Sequence, residues 1–159
     1  MTLVLGIDPG TATTGFGLVR EMQDGSLEMV EYGVITTPKD LPAHHRLKLL
    51  YHELRKLVRR HKPESVAVER LFFQRNVSTA IAVGQARGVV MLAVAEADLD
   101  VAEYTPNEVK QAVVGYGSAD KKQVQEMVRV LLALPDLPKP DDAADALAIA
   151  ITHLHTRRY

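Results

Sequence analysis

The chain has 159 residues, 47% of them hydrophobic, no cysteine, and a formal net charge of −1. That length and apolar content suit one compact domain, expected to span residues 1–159, and the absence of thiols excludes disulfides and thiolate metal sites. The near-neutral total argues against a generally basic nucleic-acid binder. Between Leu41 and Lys62, however, seven Lys or Arg stand against the single acid Glu53, and this stretch reads either as a solvated helix face or as a phosphate-facing patch.

The first apolar run, Leu3, Val4, Leu5 and Ile7, reads as a buried strand that ends on a carboxylate, Asp8. "GFGLVRE" and "LEMVEYGVITT" alternate like strands, and the Asp-Gly turn in "QDGS" joins them as a hairpin. Pro42 opens a helix to about Arg60, with Leu47, Leu50, Tyr51, Leu54, Leu57 and Val58 on one face. "ESVAVE" is a short buried strand closing on Glu69, Asn76 to about Ala97 a long apolar helix, and "DVAEY" a fifth strand. Three helical segments follow: Pro106 to about Val114, Ala119 to about Leu134, and Asp142 to about His155. An antiparallel start joined to alternating strands and helices implies an α/β fold with a mixed five-stranded sheet and helices on both faces.

The apolar segment Val77–Ala97 is interrupted by Gln85 and Arg87, so no membrane span is expected there. No basic residue precedes the N-terminal apolar run, so no secretory leader is expected either, and a soluble cytoplasmic protein is anticipated. The long helix carries small or apolar residues around most of its circumference, which predicts burial on more than one side.

The acids hold the chemical interest. If the first and fourth strands are parallel neighbours, Asp8 and Glu69 emerge at the same sheet edge. Asp142 and Asp145, three residues apart, share a helix face. Capping and the helix dipole account for Asp142 alone. They do not account for Asp145, one turn into an apolar helix that supplies no basic residue before Arg157. A carboxylate on the buried side of that helix needs a compensating charge, either an Arg or Lys from elsewhere or a divalent cation. Acids dispersed in structural ion pairs are the other reading of the same pattern.

With "GIDPGTATTGFG", "VAVERLFFQRN", "GQARGV", "EVKQAVVGYGSADKKQV" and "DDAADALAIAITH" in this order and spacing, the chain resembles the bacterial RuvC family of Holliday-junction resolvases nearly end to end. The resemblance implies the ribonuclease-H-like fold and a Mg²⁺-dependent homodimer, with two ions per active site and Mn²⁺ as a plausible substitute. The implied activity is paired, symmetric nicking of four-way DNA junctions in recombination and repair, with the RuvA and RuvB branch-migration proteins as partners. It assigns catalytic and metal-holding roles to Asp8, Glu69, Asp142 and Asp145, and a catalytic role to Lys121 near the scissile phosphate. It also implies DNA contacts by Lys110, Lys122, Arg75 and Asn76, and by a junction-probing aromatic at Phe72, with Phe73 as a competing choice. Asp141, beside the motif, is read as a helix-start residue with no family role.

Three other readings stay open on the sequence. "GIDPGTATTGFG" is also similar to the phosphate-binding hairpin of actin-like and sugar-kinase ATPases, although the chain has room for only one of the two domains they need. A RuvC-related RNA-processing nuclease would share the first motif. A junction-binding module without chemistry is disfavoured, because converging acids oppose phosphate binding unless a metal offsets them.

Overall fold

The computed structural model describes residues 1–70 and 77–157. Strands β1 (Thr2–Asp8), β2 (Thr13–Glu21) and β3 (Leu27–Thr36) form an antiparallel meander. Helix α1 (Ala43–His61) then crosses to β4 (Ser65–Glu69), and α2 (Val77–Glu96) leads to β5 (Asp100–Tyr104). Both β4 and β5 run parallel to β1, giving the order β3-β2-β1-β4-β5. Helices α3 (Pro106–Val113), α4 (Lys121–Leu131) and α5 (Asp141–Thr156) complete the chain.

The alternation of side chains along the strands divides the core in two. Leu3, Leu5 and Ile7 of β1 join Val66 and Val68 of β4 beneath α1 and α2, whereas Val4 and Ala67 pack with α3, α4 and α5 on the other face. Helices therefore cover both faces, as the sequence predicts. Helix α5 is buried along nearly its whole length, from Ala143 to Leu154, between the sheet and α3 and α4.

That helix lies unusually close to the sheet, and glycines make the approach possible. A Cβ at Gly6 would fall 2.1 Å from the Ala146 carbonyl oxygen, and one at Gly15 would fall 1.9 Å from that of Asp142. Neither distance is tolerable for a real side chain, so the backbone of α5 rests directly on β1 and β2.

Local signals explain most element ends. Gly25 takes a positive φ in the β2–β3 turn, where Asp24 Oδ1 accepts from the Ser26 backbone N–H at 2.9 Å. Helix α1 ends on Lys62 in the left-handed conformation. Capping boxes start α3 at Thr105 with Glu108 and α4 at Asp120 with Gln123. The second box shortens α4 relative to the expected Ala119 start, and the positive φ of Ala133 ends it before Leu134.

Within the single chain, helix α2 is buried along one side. Only Ala86, Val90, Ala93 and Val94 are buried, all against the sheet and α1, while Val77 is 71% exposed, Ile81 57% and Leu92 55%. A helix on one face of a sheet has one side for the core, and among the described residues nothing covers the other. By length and apolar composition α2 also suffices to cross a membrane, despite Gln85 and Arg87. Its position is nonetheless that of a core helix on one side, with Arg87 ion-paired to Glu103 of β5.

Candidate active site

The parallel pairing sets Ile7 beside Val68, so the residues that follow them, Asp8 and Glu69, leave adjacent strands side by side. Asp8 shares the parity of Val4 and Gly6 and Glu69 that of Ala67, so both point to the α5 face. There α5 presents Asp142 and Asp145 from its first turns. One carboxylate oxygen from each of Asp8, Asp142 and Asp145 lies within 4.8 Å of the others, and Glu69, on the strand beside Asp8, lines a pocket with Asp145. All four acids named from the sequence therefore meet at one point.

The loop after β1 holds Asp8 in place. Thr14 is fully buried, and its hydroxyl donates to the Gly10 carbonyl at 2.5 Å and accepts from the Gly10 N–H at 3.2 Å. Thr11 and Thr37 fix the outside of the same loop, through Thr11 Oγ1 to the Ala82 carbonyl of α2 at 3.0 Å and Thr37 Oγ1 to the Thr11 carbonyl at 2.7 Å. Thr11 and Thr14 of "GTATTG" thus serve to rigidify the turn.

The electrostatics of the cluster are severe. Asp8 is only 9% exposed, and burial, followed by the Glu69 charge and hydrogen bond and then by Asp145 and Asp142, pushes its pKa up to about 9. Burial likewise raises Glu69, with Asp145 and Asp142 adding to it and the Asp8 hydrogen bond and Lys121 opposing. Asp145 is raised by burial, against the lowering influence of Lys121. Burial alone would lower Lys121, but Asp145 and Asp141 outweigh it and hold the ammonium above its usual value.

Lys121, at the start of α4, brings its Nζ 3.4 Å from Asp145 Oδ2 and 3.6 Å from Asp141 Oδ2. A basic residue from another helix therefore supplies part of the compensation that α5 itself lacks. One partly exposed ammonium cannot balance four converging acids. The donors are all hard oxygens and are within reach of one another, the chemistry of a site for Mg²⁺ or Mn²⁺. The residues present fit such an ion.

Lys110 of α3 lines the same pocket as Glu69, Lys121 and Asp145. Lys122 does not: it lines a different groove, with Tyr116, Gln123 and Glu126. Phe72, Phe73, Arg75 and Asn76 lie outside the described residues. The sequence reading missed Asp141 as a partner of Lys121. Asp141 also accepts a hydrogen bond from Gln125 Nε2 at 3.0 Å, and its position next to Asp142 was the only available signal.

Fold and acidic cluster together define the class: a ribonuclease-H-like α/β domain with a converging carboxylate cluster, able to hold a cation, at its parallel strand ends. Residues 4–153 match the model of the crossover junction endodeoxyribonuclease RuvC family. The RuvC of Syntrophomonas wolfei is 57% identical over 98% of this chain and 90% of that protein. The RuvC of Desulfitobacterium hafniense is 58% identical over 97% of this chain and 93% of its own length. Among solved structures, Thermus thermophilus RuvC in complex with Holliday junction substrate superposes with a TM-score of 0.91 at 37% identity, covering 99% of this chain and 96% of that one. A yeast mitochondrial Holliday junction resolvase, at 15% identity and a TM-score of 0.72 over 97% of this chain and 78% of its own, shares the fold. The chain belongs to the RuvC family.

Proposed function

We propose that this protein is a metal-dependent endonuclease that resolves four-way DNA junctions by paired, symmetric nicks, in recombination and repair. The observation that carries the reading is the convergence of Asp8, Asp142 and Asp145, with Glu69 on the strand beside Asp8, at the open end of a rigid sheet. The family resemblance and the junction-bound Thermus relative support the substrate class.

In this mechanism the four carboxylates hold Mg²⁺, two ions per site, with Mn²⁺ as an alternative. When bound, the ions supply positive charge that keeps the acids ionised and offsets the charge developing on the phosphate. The protein's own part is mostly positional. Asp8 and Glu69 are fixed by strands, and Asp142 and Asp145 by a helix clamped to those strands, so the donor set is organised before substrate arrives. Lys121 carries a mobile positive charge beside that set, suited to a non-bridging phosphate oxygen, and Lys110 lies in the same pocket. Phe72 is assigned the junction-probing role, with Arg75, Asn76 and Lys122 as phosphate contacts.

Paired cuts require two sites. The exposed apolar face of α2, with Val77, Ile81, Gly84, Gly88 and Leu92 in line, is proposed as the contact with a second copy of the chain. RuvA and RuvB are the proposed cellular partners, acting on junctions in the cytoplasm.

The test is incubation with four-way, linear duplex and single-stranded DNA and with structured RNA, with and without Mg²⁺. Paired nicks confined to the four-way junction and to Mg²⁺ are expected, and cleavage of structured RNA in preference would instead favour an RNA-processing nuclease. Asp8→Asn and Asp145→Asn should abolish cutting and leave junction binding nearly intact; normal cutting by either variant would overturn the mechanism.

A further inference from the structure

The outer face of α1 is the strongest charged feature that the active site does not use. Leu50, Leu54 and Leu57 turn inward, and at about 100° per residue the opposite side carries His44, Lys48, His52, Arg55 and Arg59 within a band of about 80°, with Lys62 following just past the helix end. Glu53, the only acid on the helix, falls outside the band, and its partner is Lys56 at 3.2 Å. The other ion pairs of α1 join Arg60 and His61 to Glu31. Lys48, Arg59 and Lys62 are exposed and pair with no acid among the described residues.

The place of the band matters as much as its charge. Arg46, in the first turn of α1, donates from Nε to Thr37 Oγ1 at 2.9 Å, and Thr37 is bonded in turn to the loop that follows Asp8. One end of the band is therefore tied to the catalytic end of the sheet. From His44 to Lys62 it extends away for about 27 Å at the helical rise, which matches about eight base pairs of duplex backbone.

We propose that this band is a track for the phosphate backbone of a junction arm, separate from the site that cuts it. A protein partner is the weaker fit, because a stable protein interface needs an apolar centre that the band lacks. The proposal rests on the junction-cleaving reading given above and adds to it a second, sequence-independent contact. A net-acidic chain gains most from such a track: with charge −1 overall, its cations are concentrated here.

The triple variant Lys48→Ala, Arg59→Ala, Lys62→Ala tests it, with junction binding measured over a salt series and folding checked by thermal melting. Loss of three phosphate contacts should lower the slope of log K against log salt by about 2.7 and weaken binding roughly tenfold to a hundredfold near 0.1 M salt. Cleavage at saturating protein should be unchanged. Because the chain has no cysteine, Lys48→Cys and Arg59→Cys can each carry a single photo-crosslinker. Crosslinks to duplex arms are expected, farther from the junction centre for position 59 than for 48. An unchanged salt slope together with no crosslink from either position would overturn the track, while the unsubstituted chain still cut junctions. If the unsubstituted chain neither bound nor cut them, the underlying functional reading would be the one that failed.

Discussion

Asp8 determines the balance between stability and function at the scale of single residues. Its carboxyl has an ordinary value of 3.8 and is pushed up to about 9 in the folded protein. The metal-free fold therefore holds this proton more tightly than the unfolded chain, and its contribution to stability is complete at low pH. That contribution is lost as pH rises from about 4 through about 9. Two outcomes are expected at pH 7 to 8: in metal-free buffer Asp8→Asn is more stable than the unsubstituted protein by an amount on the order of a few kcal/mol and so melts at a higher temperature, and added Mg²⁺ stabilises the unsubstituted protein but not the variant. Calorimetry across pH, with and without Mg²⁺, measures both. For Lys121→Ala, single-turnover assays should give a loss of roughly tenfold to a hundredfold in the chemical step with little change in binding. Asp141→Asn should cost less than about 0.5 kcal/mol of stability, as an exposed acid, yet slow the same step by loosening Lys121, which a parallel melting and kinetic comparison separates.

Among the elements, α5 is the part on which the site depends. It brings two acids to the strand ends only because β1 and β2 offer it glycines. Gly6→Ala forces a methyl into the Ala146 carbonyl, and Gly15→Ala forces one into that of Asp142. Each should destabilise by about 2 kcal/mol or more, since a backbone neighbour cannot rotate away. Chemical denaturation measures the loss, and weaker Mg²⁺ binding in the surviving folded protein shows that the helix has shifted. Gly25 is a useful contrast, because nothing lies within 4 Å of a Cβ there and its role is its positive φ in the turn.

For the whole molecule, the uncovered face of α2 makes oligomerisation a question of function. Ile81→Glu places a charge at the middle of that face and should shift a dimer toward monomer in analytical ultracentrifugation. Junction products should change in parallel, from two coordinated nicks to single uncoordinated ones. Retention of both dimer and paired nicks would assign the second copy to another surface.

Much of the site could be read before the fold was known. Chemical type and local placement are written along the chain: Asp8 and Glu69 end apolar strands, and Asp142 and Asp145 recur at helical spacing, which is why these acids could be singled out before the fold brought them near one another. Within this chain α2 is covered on one side alone, because apolarity reports a wish for cover without saying whether the same chain supplies it. The role of Asp141 was hidden for a different reason, since its partner Lys121 is twenty positions away on another helix. Contacts between distant residues depend on how closely helices and sheet approach. Here that distance was set by the absence of side chains at Gly6 and Gly15, so the sequence by itself determined which groups could do chemistry, and tertiary packing decided that they meet.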